Sequence, residues 1–110
     1  MTKQSIRIAV AGAGNVGRYV AGDLHSKGHE VVMIEQNKAI AEVVRDDLDV
    51  NWVIGDACEL HTFDAAVLSS CDVMVAATGD DEDNLVISLL AKQEFAVPRV
   101  VARVNHPDNE

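Results

Sequence analysis

Gly12-Ala13-Gly14-Asn15-Val16-Gly17 sets three glycines at the G-x-G-x-x-G spacing, between the apolar run Ile6–Ala11 and a segment of helical period. In that context Gly12 permits a tight turn, Gly14 lets the backbone approach a diphosphate, and Gly17 lets the helix pack close to the strand. The free N–H groups of the following turn, which holds Asn15 and Val16, act with the helix dipole to attract phosphates. A strand-to-helix turn without a ligand is the alternative. Glu35 follows Gly12 by 23 residues and ends a second apolar run, the spacing at which an acid takes the hydroxyls of an adenosine ribose. A carboxylate there repels a 2′-phosphate, so NAD(H) or an adenine nucleotide is expected over NADP(H).

Three further groups belong to the same crevice. Gly55-Asp56-Ala57 closes a third strand, where Asp56 either accepts from an adenine amino group or serves its own turn. Thr78-Gly79-Asp80-Asp81-Glu82-Asp83-Asn84 follows a fourth strand. Thr78 and Gly79 there lie over the glycine turn, and the four acids read as caps and dipole partners of the next helix rather than a metal site. Arg103 interrupts the apolar run Val100–Val104 and awaits a phosphate or the acidic loop as partner, unless it reaches solvent from an edge strand. The candidate cofactor-binding set is therefore Gly12, Gly14, Asn15, Val16, Gly17, Glu35, Asp56, Ala57, Thr78, Gly79 and Arg103. No catalytic or metal-ligating residue is assigned: His25, His29, His61 and His106 have no mutual metal spacing, and Cys58 and Cys71 read as packed thiols.

The elements that must position these groups alternate between β-branched runs and helical segments. Strands are expected at Ile6–Ala11, Glu30–Ile34, Asn51–Ile54, Val73–Ala77 and Val100–Val104. Helices are marked by Val16, Val20 and Leu24, by Ile40, Val43, Val44 and Leu48, by Leu60, Phe63, Val67 and Leu68, and by Leu85, Leu89 and Leu90. The first should lay its Val/Leu face on the sheet. The fold class is α/β, a three-layer, doubly wound, Rossmann-like parallel sheet with strand order 3-2-1-4-5 and no sixth strand, expected of a chain cut from a longer protein.

The 110 residues suffice for one domain, and a formal charge of −9 repels polyanions, which excludes sequence-independent nucleic-acid binding. No apolar run reaches membrane-spanning length, and residues 1–5 lack a signal-peptide layout, so a cytoplasmic protein without membrane insertion is expected.

Gly12–Gly17, Glu35, Gly55-Asp56-Ala57, Thr78–Leu85 and Ala102-Arg103-Val104-Asn105, taken in order, resemble the N-terminal domain of the Trk/Ktr potassium-uptake regulators, the RCK or KTN (TrkA-N) domain, over nearly the whole chain. The resemblance implies a cytoplasmic regulatory subunit that binds NAD(H) or ATP/ADP. It also implies a homo-oligomer, dimer or larger, that sits peripherally at the inner membrane face and gates a membrane-embedded potassium transporter subunit. By position, the glycine turn would hold the phosphates, Glu35 the ribose, Asp56 and Ala57 the adenine side, and Thr78 with Arg103 the remainder. The sequence departs from ATP-sensing Ktr members, many of which carry Arg where Asn15 stands. The competing class is the coenzyme domain of an NAD-dependent dehydrogenase, which needs a placed proton-transfer residue and a substrate pocket. A third is a metabolite-binding module that has lost nucleotide binding, against which the intact glycines argue.

Overall fold

The computed structural model describes residues 5–105. Its elements are β1 (Arg7–Ala11), α1 (Asn15–Ser26), β2 (Glu30–Glu35), α2 (Lys38–Arg45), β3 (Asn51–Ile54), α3 (Leu60–Ala65), a 3-10 turn (Leu68–Ser70), β4 (Val73–Ala76), α4 (Asp81–Gln93) and β5 (Arg99–Ala102). All strand pairs are parallel, in the order β3-β2-β1-β4-β5. This is the doubly wound Rossmann-like order, with its switch point between β1 and β4.

Alternate residues of β1 serve opposite faces, as the pleat requires. Ala9 and Ala11 join Phe63, Leu68, Met74, Ile87 and Ala91 in the core beneath α3 and α4, where Phe63 and Phe95 rings meet at 5.2 Å. Ile8 and Val10 join Ala21, Val31 and Met33 on the other face, with Leu24 of α1 and Trp52 of β3 packed against them. Among the described residues no helix is long and apolar enough to cross a membrane.

Two expectations are corrected. The first helix lays only part of its Val/Leu face on the sheet, since Leu24 packs against the core whereas Val16 is exposed. α1 buries Gly17 and Ala21, α2 buries Ala41 and Val44, and α4 buries Asn84, Ile87 and Ala91. Val16, Ile40, Val43, Leu85 and Leu89 are exposed, Val43 by 67% and Leu85 by 60%. α3 likewise buries Phe63 and leaves Leu60 exposed. Close approach of α1 favours the small Gly17 and Ala21 at its contact, whereas α2, α3 and α4 also bury the bulkier Val44, Phe63 and Ile87. The second correction concerns Arg103, which lies beyond β5 and is exposed rather than embedded in a buried strand. β5 pairs only with β4, so an Arg at its end reaches solvent without a desolvation cost. Its N–H still donates to the Ala76 carbonyl at 2.8 Å, one step past the strand.

Candidate functional site

The three motif glycines divide into two kinds. Gly12 has φ +105°, a conformation that L side chains rarely adopt, and its N–H donates to the Ile34 carbonyl at 2.8 Å. A Cβ at Gly17 would lie 1.7 Å from the Gly12 carbonyl oxygen, so that glycine sets how closely α1 rests on the turn. Gly14 differs from both. A Cβ built there meets nothing within 4 Å, and its φ of −75° suits any residue. The fold itself does not require glycine at this position.

Gly14 borders a cavity of about 430 Å³, within the size range of small-molecule sites. The cavity lies at the carboxyl ends of β1, β2, β3 and β4, at the switch point. Eight of the sequence candidates line it, namely Gly12, Gly14, Glu35, Asp56, Ala57, Thr78, Gly79 and Arg103. Asn15, Val16 and Gly17 are not among the lining residues: the Asn15 side chain accepts from Arg18 Nη2, Val16 is exposed, and Gly17 is packed behind the turn. Apolar walls come from Ile34 and Ile40, which the sequence marked only as strand and helix residues, and from Ile87, which it did not single out.

The helix ends around the cavity are capped unequally. Asn37 caps α2 through Ala39 N and Ile40 N, and Asp80 caps α4 through Asp83 N, with Asp81, Glu82 and Asp83 in its first turn. α1 opens from Gly14 with no side-chain cap and no acid in its first turn. Its positive dipole end is thus left to whatever occupies the cavity beside Gly14. The side-chain charges lining the cavity are mostly negative, Glu35, Asp56, Asp80 and Asp83 against Arg103.

Glu35 braces the turn as well as facing the cavity. Its Oε1 accepts from Ala13 N at 2.7 Å and its Oε2 from Asn37 N at 2.9 Å, which fixes the carboxylate between the glycine turn and α2. Asp56 Oδ1 accepts from Cys58 N at 2.8 Å, so turn chemistry is the role its contacts display.

Sequence reasoning missed the hub of the opposite wall. Asn84 is 1% exposed, and its amide is fully engaged. Oδ1 accepts from Thr78 N at 3.0 Å and from Thr78 Oγ1 at 2.7 Å, while Nδ2 donates to Thr78 O at 3.1 Å and to Arg103 O at 3.0 Å. One buried side chain therefore holds two cavity-lining residues in register. Replacing it with Leu removes the side-chain partner of the part-buried Thr78 N and Arg103 O and leaves Thr78 O to Asn105 alone, and Asn84→Leu is expected to lower unfolding free energy by about 1–3 kcal/mol. Urea titration followed by circular dichroism measures the loss, and a variant as stable as wild type would refute the hub.

Cys58 lines the same cavity, but its chemistry is subdued. Burial, with the nearby Asp83 and Asp56 carboxylates, pushes its thiol up to about 12. Cys71 is buried and also raised, chiefly by desolvation, although the Arg7 guanidinium opposes the shift. Only the thiolate is nucleophilic, so iodoacetamide at pH 8 should label Cys58 in the folded chain about two to three orders of magnitude more slowly than in urea. Equal rates, read by mass spectrometry, would contradict that environment. His29 Nδ1 accepts from Ile6 N, His25 and His61 are exposed, and His106 lies outside the described residues.

Comparison with known proteins places this geometry. The TrkA-N domain family model matches residues 8–110. A Trk system potassium uptake protein TrkA from Mycobacterium tuberculosis is 52% identical over 105 residues, which cover 96% of this chain and 47% of that protein. A TrkA homolog from Methanothermobacter thermautotrophicus is 37% identical, with coverage of 94% and 47%. The chain thus spans about half the length of these curated relatives. Among solved structures, the TrkA-N domain of the inner membrane protein ybaL from Escherichia coli superposes with a TM-score of 0.83 at 19% identity, covering 97% of this chain and 78% of that one. A GsuK channel bound to NAD superposes at 0.82 and 19% identity, covering 99% of this chain and 20% of the channel.

Proposed function

Because this chain belongs to the TrkA-N domain family, we propose that it is the nucleotide-binding unit of a potassium-uptake regulator, taking NAD(H) or ATP/ADP in the cavity beside Gly14. The observation that carries this reading is Gly14 itself. It is a motif glycine that no protein contact requires to be glycine, and it borders the cavity at the uncapped start of α1. A ligand pressed against the backbone supplies the missing reason. Phosphates then meet the Gly12–Gly17 turn and the α1 N–H groups, with Asn15 and Val16 contributing main chain only.

Glu35 takes the ribose. Each of its oxygens accepts one backbone N–H, and the remaining lone pairs accept the two hydroxyls. Asp56 and Ala57 flank the adenine, and Thr78, Gly79 and Arg103 meet the rest of the molecule. The names of similar proteins, a GsuK channel bound to NAD and another bound to ADP, support the ligand class.

The chain acts by binding, not by turnover, on the cytoplasmic side of a membrane-embedded potassium transporter subunit. It does so as a dimer or larger homo-oligomer. Leu85, Val86 and Leu89 on α4 and Val101 at the β5 edge are exposed and supply apolar surface for assembly. Gating follows if nucleotide binds one arrangement of the assembly better than another. The test is potassium flux into vesicles carrying the transporter subunit together with this protein. Nucleotide is expected to change the flux, and Gly14→Ala to remove the change. Flux insensitive to the protein would overturn the regulatory role, and substrate-dependent NADH consumption would favour a dehydrogenase.

A further inference from the structure

Asp81 and Asn105 do not line the cavity, yet they are tied to the residues that do. Asp81 Oδ1 accepts from Asn105 N at 2.6 Å and from Asn105 Nδ2 at 2.9 Å. The same Nδ2 reaches Thr78 O at 3.2 Å, an oxygen that also accepts from Asn84 Nδ2. Three segments therefore meet at one knot: the loop after β4, the first turn of α4, and the chain leaving β5. Thr78 and Arg103 are the cavity side of that knot, and Asn105 is its far side.

We propose that Asp81 and Asn105 are positioning residues, forming a clasp that couples nucleotide occupancy of the cavity to the order of the chain leaving β5. The proposal rests on the nucleotide reading given above. Closing the clasp fixes Thr78 O, and through Asn84 the Arg103 carbonyl, in the places from which the cavity wall is built. A ligand held by Thr78 and Arg103 stabilises the closed clasp. Reciprocity then requires the closed clasp to strengthen ligand binding by the same factor. A merely structural clasp would stabilise the fold and leave affinity untouched.

The experiment uses the 110-residue chain and NAD+ as probe. Exchange of the Asn105 amide proton is measured by NMR with and without saturating NAD+, and calorimetry gives NAD+ affinity for wild type, Asn105→Ala and Asn105→Asp. Asn105→Asp sets a second carboxylate against Asp81 and removes the donor to Thr78 O. Saturation with NAD+ is expected to slow the Asn105 amide about 5- to 10-fold, and Asn105→Asp to raise the NAD+ dissociation constant by a similar factor, the lower end of ordinary coupling. Asn105→Ala should fall between them. If Asn105→Asp fails to fold, the wild-type exchange and the Asn105→Ala affinity decide. Unchanged Asn105 exchange on binding, or variants that bind as wild type does, would overturn the clasp alone. A wild-type chain that binds neither NAD+ nor ADP would overturn the nucleotide reading, and the clasp with it.

Discussion

Gly17→Ala is expected to destroy or nearly destroy the native state. The added Cβ would sit 1.7 Å from the Gly12 carbonyl oxygen, and both atoms belong to backbone that has little room to give. Relief requires α1 to lift off the turn by more than an ångström, which breaks its packing at Ala21 and Leu24 against the sheet. A backbone overlap of this size belongs with the most severe single substitutions, above about 4 kcal/mol, in a domain whose total stability is on the order of 5–15 kcal/mol. A thermal melt should show a midpoint lower by about 15 °C or more, or no cooperative transition. A midpoint within a few degrees of wild type would show that α1 does not rest on Gly12 as described.

Gly14→Ala, three residues earlier, is expected to do the opposite. Its Cβ meets no protein atom within 4 Å, and its φ of −75° is ordinary, so stability should change by less than about 1 kcal/mol. Gly14 also lines the cavity in which the diphosphate is proposed to lie. A methyl group there holds the phosphates off the α1 N–H groups, and the overpacking should weaken nucleotide binding about 30- to 100-fold. The pair of variants separates the two uses of one motif. A folded Gly14→Ala chain that binds as tightly as wild type would remove the turn from the phosphate site.

The contrast also marks what the sequence made legible. Strand positions were readable because buried parallel strands are continuous apolar runs, and the strand order followed from the glycine turn between β1 and α1. Glu35 was readable from spacing alone, although its bonds to Ala13 N and Asn37 N were not, since they depend on how the turn folds back. The face of α1 was only partly legible because hydrophobicity marks Val16 and Val20 with Leu24, whereas the helix buries Gly17 and Ala21, packs Leu24 on the core and leaves Val16 exposed. Asn84 escaped because an Asn directly behind four acids reads as part of a solvated helix start. The signal that it carries a buried role is its place one turn after a capped helix start, level with the end of β4. Asn105 bonds to residues at least 24 positions away, a pairing that no local pattern reveals.

The central claim, that the cavity takes an adenine nucleotide with its ribose on Glu35, is tested most directly by calorimetric titration of the chain with NAD+ and with NADP+ under one buffer and salt. Glu35 is held in place by two backbone N–H groups and cannot swing away from a 2′-phosphate without giving them up. NAD+ is expected to bind at least about 10-fold more tightly than NADP+, the effect of about 1.4 kcal/mol of charge repulsion. Binding of NADP+ as tight as or tighter than that of NAD+, or no heat from either, would contradict the account.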